Sequence, residues 1–139
     1  MSARTKARKR AVDAVFASDI RKENPAELLQ ATQKQMEDRQ NQDEIFGYAE
    51  QIVAGVVEHY EEIDDLIETY SQDWSIDRMP TLDRAILRCA LWEILFNPEV
   101  PNGVAINEAV EIAKEFSTDD SGGFINGLLS KIASTRQAK

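Results

Sequence analysis

The chain has 139 residues, of which 42% are hydrophobic, and it carries a formal net charge of −9. Its length suits one domain with a sizeable core, and no apolar run approaches the roughly 20 residues that cross a bilayer. Its charged start lacks the apolar segment of a secretory signal, and its single cysteine, Cys89, excludes an internal disulfide. We therefore expect one domain that is cytoplasmic and does not enter a membrane.

Positive charge is concentrated at the amino end, although acidic residues outnumber basic ones by 25 to 16 in the whole chain. The first ten residues contain no acid, and their cations are Arg4, Lys6, Arg8, Lys9 and Arg10. A basic segment on an acidic body confines any attraction for phosphate to one end. Taken alone, this segment leaves two interpretations open, a nucleic-acid contact and a solubilising tail.

The first half of the chain predicts helices, because apolar residues recur three or four positions apart. The first helix is expected over residues 5–21, with Phe16 and Ile20 facing inward. A second helix is expected to start at Pro25, since a proline at the first helical position has no N–H group to leave unpaired. The polar residues 38–43 predict a mobile loop before the third helix.

The third predicted helix starts near Glu44 and has an apolar stripe that includes Val57. Two glycines, Gly47 and Gly55, fall within it. Each costs about 1 kcal/mol relative to alanine in a helix, so we expect them to permit close helix approach. A fourth helix follows after a bend.

The fifth predicted helix, residues 82–96, is apolar nearly all round, with Thr81 as its expected N-cap. A helix without a polar face is normally surrounded by others, so this one is predicted to be the core. The next helix begins either near Asn102 or only at Asn107, and its apolar side is expected to include Phe116. One further helix follows a polar hinge, which makes about seven helices and an all-α fold.

Three blocks of the sequence resemble the NusB family of bacterial transcription antitermination factors, in the family's order and at about its spacing. They are ARTKARKRAVDAVF, LDRAILRCALWEIL and AINEAVEIAKEFSTDDSGGFINGLL. The resemblance implies an all-helical fold of two packed sub-bundles without catalytic activity. It also implies binding to the boxA element of nascent single-stranded ribosomal RNA, together with the small-subunit ribosomal protein NusE and the transcription elongation complex.

With this resemblance, residues 1–10 are expected to form a flexible basic arm that binds RNA, and residues 11–139 an all-helical NusB-like domain. The resemblance further implies that Phe16, Asp120 and Phe124 border the RNA surface. Phe16 stands where the family often has tyrosine, so a hydroxyl contact is lost. Each phenylalanine also fits simple core packing, and that alternative stays open.

Polar residues on the predicted core helix form a second group of candidates. The resemblance places Asp83, Arg84 and Arg88 near the RNA and partner surface of the family. The structural alternative is that Asp83 favours the helix dipole, while Arg88 and Glu93 find ion partners. The two interpretations do not exclude each other.

Catalytic and metal chemistry find little support in the sequence. The one histidine, His59, lacks a second histidine or a cysteine nearby to complete a zinc site. Residues 121–123 have the small residues of a phosphate cradle, but two acids precede them and no lysine follows. We therefore expect neither an enzyme nor a metal or other cofactor.

Two other functions and one property of the assembly are weighed beside RNA binding. An acidic helical adaptor would bind mainly the basic ribosomal protein, with RNA secondary. A regulatory domain of an RNA-modifying enzyme is the weaker alternative, since no glycine-rich cofactor motif is present. The resemblance leaves both a monomer and a homodimer open.

Overall fold

A computed structural model of the chain describes residues 2–36, 42–71 and 74–136. Its seven α-helices are α1 (Ala3–Arg21), α2 (Pro25–Gln35), α3 (Gln42–Glu58), α4 (Tyr60–Tyr70), α5 (Thr81–Phe96), α6 (Asn102–Phe116) and α7 (Ser121–Arg136), with a 3-10 turn at Ile76–Arg78. The predicted all-α class and the number of helices are confirmed. In the described ranges, none of the helices has both the length and the apolar character that crossing a membrane requires.

Helix α5 lies at the centre of the molecule. Helices α1, α2 and α3 pack on one another, and α1 and α3 also pack on α5; α4, α6 and α7 pack on another part of the surface of α5. Eleven of the 16 residues of α5 are buried, which explains its almost continuous apolar sequence. The two sub-bundles therefore share one core helix.

The amino-terminal segment differs from the expected flexible arm. Helix α1 begins at Ala3, and the Ser2 side chain caps it by accepting a hydrogen bond from the Thr5 N–H group. Ala7 and Arg8 face the core and are buried. Residues 3–10 are therefore the first turns of α1 and not a separate arm.

The starts of α2 and α5 can be compared with their predicted caps. Asn24 caps α2 by accepting from the Ala26 N–H group at 2.8 Å, with Pro25 at the first position as predicted. The prediction of Thr81 as an N-cap is wrong, because Pro80 occupies that position and Thr81 is the first helical residue.

The structure decides two further boundaries. Helix α6 begins at Asn102, the earlier of the two predicted starts. Helix α3 begins at Gln42, so residues 42–43 of the predicted loop are helical, while residues 38–41 lie outside the described residues.

Three residues that were expected to face inward are exposed. The exposed fractions of Ile20, Val57 and Phe116 lie between 46% and 58%. Each lies in the last turn of its helix. The periodic pattern continues to that point, but these side chains lie outside the core.

The two glycines of α3 differ in their surroundings. A Cβ atom at Gly55 would lie 1.9 Å from Nε1 of Trp92 on α5, whereas one at Gly47 would meet nothing within 4 Å. The predicted close approach of helices therefore holds for Gly55 alone.

We expect Gly55→Ala to lower the free energy of unfolding by about 1–3 kcal/mol, because the added methyl group overpacks against Trp92. The matched variant Gly47→Ala should be neutral or stabilising by up to about 1 kcal/mol, since alanine favours a helix. Urea unfolding followed by circular dichroism measures both. Equal stability of the two variants would contradict the close contact.

Candidate nucleic-acid interface

Arg8, one of the five predicted RNA-binding cations, is held inside the protein. Its Nε donates to the two carboxylate oxygens of Glu93 at 2.9 and 3.0 Å, and its Nη1 donates to Glu108 at 2.9 Å. Thr5 also donates to Glu108, at 2.5 Å. The Arg8 side chain is only 8% exposed. This guanidinium joins α1 to α5 and α6 and is not free for a phosphate.

Tyr48 completes this buried network from α3. Its hydroxyl donates to Glu93 and accepts from the Asn97 amide at 3.1 Å. Burial raises the pKa of Tyr48 to about 12, and the bond to Glu93 and the charge of that carboxylate add to the effect. The phenol is therefore neutral at physiological pH, and Arg8 neutralises Glu93.

The other four cations predicted to bind RNA lie nearer to solvent. The Arg4 guanidinium lies 3.8 Å from the centre of the Tyr48 ring and 4.0 Å from Glu99. Lys9 binds Asp13 at 2.7 Å, and its Nζ lies 4.1 Å from the centre of the Phe116 ring.

Lys6 and Arg10 form no ion pair with any described residue, although Arg10 contacts the Met36 sulfur at 3.9 Å. Lys6, Lys9 and Arg10 lie in the first two turns of α1, and Phe16 lies six residues beyond Arg10. These three cations are the part of the predicted arm that can meet a phosphate.

Arg8→Ala should lower the free energy of unfolding by about 3–5 kcal/mol, because it leaves the buried Glu93 without a cation. The control Lys6→Ala, at an exposed position of the same helix, should change it by no more than about 0.5 kcal/mol. Urea unfolding of both variants tests this difference. If Arg8→Ala were as stable as Lys6→Ala, the buried pair would not hold α1 to the core.

Asp83 is completely buried at the start of α5, so the expectation of a direct RNA or partner contact is corrected. Its carboxylate accepts hydrogen bonds from the hydroxyls of Ser117 at 2.5 Å and Ser121 at 2.8 Å. Asp83 therefore ties α5 to the hinge between α6 and α7, residues 117–120. Ser121 also accepts from the Thr118 N–H group, which closes the hinge on itself.

The two arginines of α5 bind acids of neighbouring helices. Nε of Arg84 lies 3.0 Å from Asp19 of α1, and Arg88 binds Asp19 at 3.2 Å and Asp64 of α4 at 2.8 Å. Arg88 is buried and joins the sub-bundles. Arg88 and Glu93 thus both have ion partners, as the structural alternative predicted, and the partner of Glu93 is Arg8. Arg84 is the less buried of the two.

These contacts bring the end of α1, the start of α5 and the hinge to one end of the molecule. Asp120 is exposed there, and Phe124 in the first turn of α7 is half-buried, with its ring edge-on to Trp74 at 5.2 Å. Phe16 instead lines a groove between α1 and α2 that includes Leu28, and it makes no ring contact with Phe124. We call Lys9, Arg84, Phe116, Asp120 and Phe124 the hinge face.

Sequence reasoning missed Phe116 and Trp74 as surface aromatics. Phe116 continues an inward stripe, so its exposure had no local signal. Trp74 follows the end of α4 and lies outside any helix, so no periodic pattern marks it as buried or exposed.

The described residues hold no constellation suited to catalysis or metal binding. They contain no group of three histidine, cysteine or acidic side chains placed to hold a metal ion. Burial raises the pKa of the Cys89 thiol, which keeps it protonated and unreactive. His59 stacks on Phe96 with ring centres 3.7 Å apart.

A two-part helical bundle with cations and aromatic rings on its surface has the features of a binding protein. The model of the NusB family matches residues 5–134. The chain belongs to the NusB family, as the sequence resemblance predicted.

Curated relatives match the chain over nearly its full length. Transcription antitermination protein NusB of Leifsonia xyli subsp. xyli is 53% identical, with 98% of this chain and 94% of the relative covered. The protein of the same name from Clavibacter sepedonicus is 51% identical, with 98% and 99% covered. Membership of this non-enzymatic family confirms that the chain is not an enzyme.

Solved structures share the fold as well. NusB of T. maritima has a TM-score of 0.86 at 34% identity, covering 96% of this chain and 92% of that one. A crystal structure of the antitermination factors NusB and NusE in complex with double-stranded RNA contains a chain with a TM-score of 0.84 at 31% identity. The match covers 97% of this chain and 98% of that one.

Proposed function

We propose that this protein is a transcription antitermination factor that binds the boxA element of nascent ribosomal RNA, jointly with NusE, in the cytoplasm. The observation that carries the proposal is the match, over almost the whole chain, to a structure of NusB with NusE and RNA. The transcription elongation complex is the wider assembly in which this pair would act.

The surface of α1 supports the RNA part of the proposal. Lys6 and Arg10 have no acidic partner among the described residues, and Lys9 has only the half-exposed Asp13. Phosphate contacts position a strand but do not read its sequence. Sequence choice therefore requires bases that stack on side chains, for which Phe16, Phe116 and Phe124 are the candidates.

The acidic body supports the protein part. Helix α4 exposes Glu61, Glu62, Asp65 and Glu68, while the whole chain has a net charge of −9. Such a surface attracts a basic ribosomal protein by long-range electrostatics.

Titration of boxA RNA with and without NusE tests the joint complex. RNA affinity that does not rise when NusE is added would contradict it.

The double variant Lys6→Gln/Arg10→Gln should weaken RNA binding and make it less dependent on salt. Each lost phosphate contact on a single strand reduces the log–log salt slope by roughly 0.7. Fluorescence anisotropy of labelled boxA RNA at two salt concentrations measures both effects. Point variants are preferred to deletion of residues 1–10, because Ala7 and Arg8 are buried.

The control for this experiment is Arg136→Gln, in the last turn of α7 and about 20 Å along that helix from the hinge. It removes one positive charge, whereas the double variant removes two. A loss of binding free energy in the control that is half of that in the double variant, or more, would show that net charge, and not the α1 surface, determines RNA binding.

Asp120→Asn should strengthen RNA binding, because it removes a negative charge from the exposed hinge face, which we propose lies beside the RNA. The matched variant Glu111→Gln removes a charge from an exposed position of α6. A filter-binding assay compares the two variants with the unmodified protein. Weaker or unchanged binding by Asp120→Asn would remove Asp120 from the interface.

A further inference from the structure

A groove lies between the α4–α5 connection and the face of α7 that follows the hinge. Its volume is about 500 Å³, and its lining is Tyr70, Ser71, Trp74, Gly123, Phe124, Gly127, Leu128 and Lys131. Trp74 is 38% exposed, and its ring and that of Phe124 stand at 89° to each other. The groove thus has two aromatic rings at one end and a cation at the other.

The part of α7 that borders the groove is open. A Cβ atom at Gly123 or Gly127 would meet nothing within 4 Å. Each glycine costs about 1 kcal/mol relative to alanine in a helix, and here no neighbouring helix uses the space, in contrast to Gly55. The room beside Gly127 is therefore available to a planar ring that enters from solvent.

The charge of the groove differs from that of the protein. None of its described lining residues is acidic, although the chain has 25 acidic residues. Lys131 forms no ion pair with a described residue, and its Nζ lies 5.9 Å from the centre of the Tyr70 ring. The lining therefore favours an anionic ligand.

A hydrogen bond from a side chain to the backbone positions the aromatic end of the groove. The Ser71 hydroxyl donates to the Trp74 carbonyl at 2.7 Å, which fixes the chain that carries the indole. An incoming ring would then meet a positioned aromatic surface, and such stacking carries little ordering cost.

We propose that this groove binds one unstacked base of the RNA, with Trp74 against the base and Lys131 against a phosphate. The inference rests on the proposed function and extends it to a nucleotide position next to the hinge face, with which the groove shares Phe124. A peptide fits less well, because its backbone N–H and C=O groups all need hydrogen-bond partners. The groove is lined mainly by aromatic rings, aliphatic groups and hydrogen-bond donors. RNA supplies both the ring and the anion.

Gly127→Leu tests the groove without removing any contact, since it fills the open space and favours the helix. We expect boxA RNA affinity to fall roughly 5- to 150-fold, the range for loss of one stacked base, while thermal stability stays equal or rises. Trp74→Ala should produce a loss in the same range. The control Asn126→Leu adds the same side chain one position earlier, away from the lining, and should bind RNA normally.

An abasic scan gives an independent readout. Removing each base of the boxA RNA in turn should reveal one position whose loss weakens binding to the unmodified protein but not to Gly127→Leu. In a Trp92→Phe background, Trp74 is the only tryptophan, and its emission should change when RNA binds.

The outcomes separate this inference from the proposed function. If Gly127→Leu bound RNA normally while Lys6→Gln/Arg10→Gln did not, the groove site would be refuted and the RNA function would stand. If the unmodified protein bound no boxA RNA with or without NusE, both would fail. Loss of affinity for NusE alone in Gly127→Leu would make the groove a protein site and overturn the inference.

Discussion

The buried ion pair between Arg8 and Glu93 is the interaction on which the arrangement of the rest depends. It joins the second turn of α1 to the core helix α5, and Tyr48 and Glu108 extend it to α3 and α6. A buried charge without its partner is strongly unfavourable, so the pair fixes how α1 lies on the bundle. That position determines which cations of α1 face the core and which face solvent.

A second set of polar contacts fixes the opposite end of α5. Asp83 binds two hydroxyls of the hinge region, and Arg84 binds Asp19 near the end of α1. The hinge between α6 and α7 and the end of α1 are therefore held by the same turn of one helix. The aromatic and acidic residues proposed to meet RNA lie on a rigid base and not on a loose loop.

The helical fold and the core position of α5 could be predicted, because both follow from local periodicity and from an apolar sequence without a polar face. The burial of Arg8 could not, since its partner Glu93 lies 85 residues away along the chain. Nothing in the neighbouring sequence distinguishes Arg8 from Lys6 or Lys9. The same limit applies to Phe116, whose exposure depends on how the end of α6 meets neighbouring helices. In the candidate site, the cations of α1 could be predicted from the sequence. Which of them are buried and which are exposed could not.

Because both sub-bundles share α5, the chain cannot be divided into two halves that each keep a complete core. Neither the amino-terminal nor the carboxy-terminal set of helices has a complete interior of its own, because each packs on the same central helix. Fragments cut between α3 and α6 would each expose apolar surface, and unfolding should proceed as a single cooperative event. Reporter or affinity tags are accordingly best attached beyond the ends of the chain, not inserted between the halves.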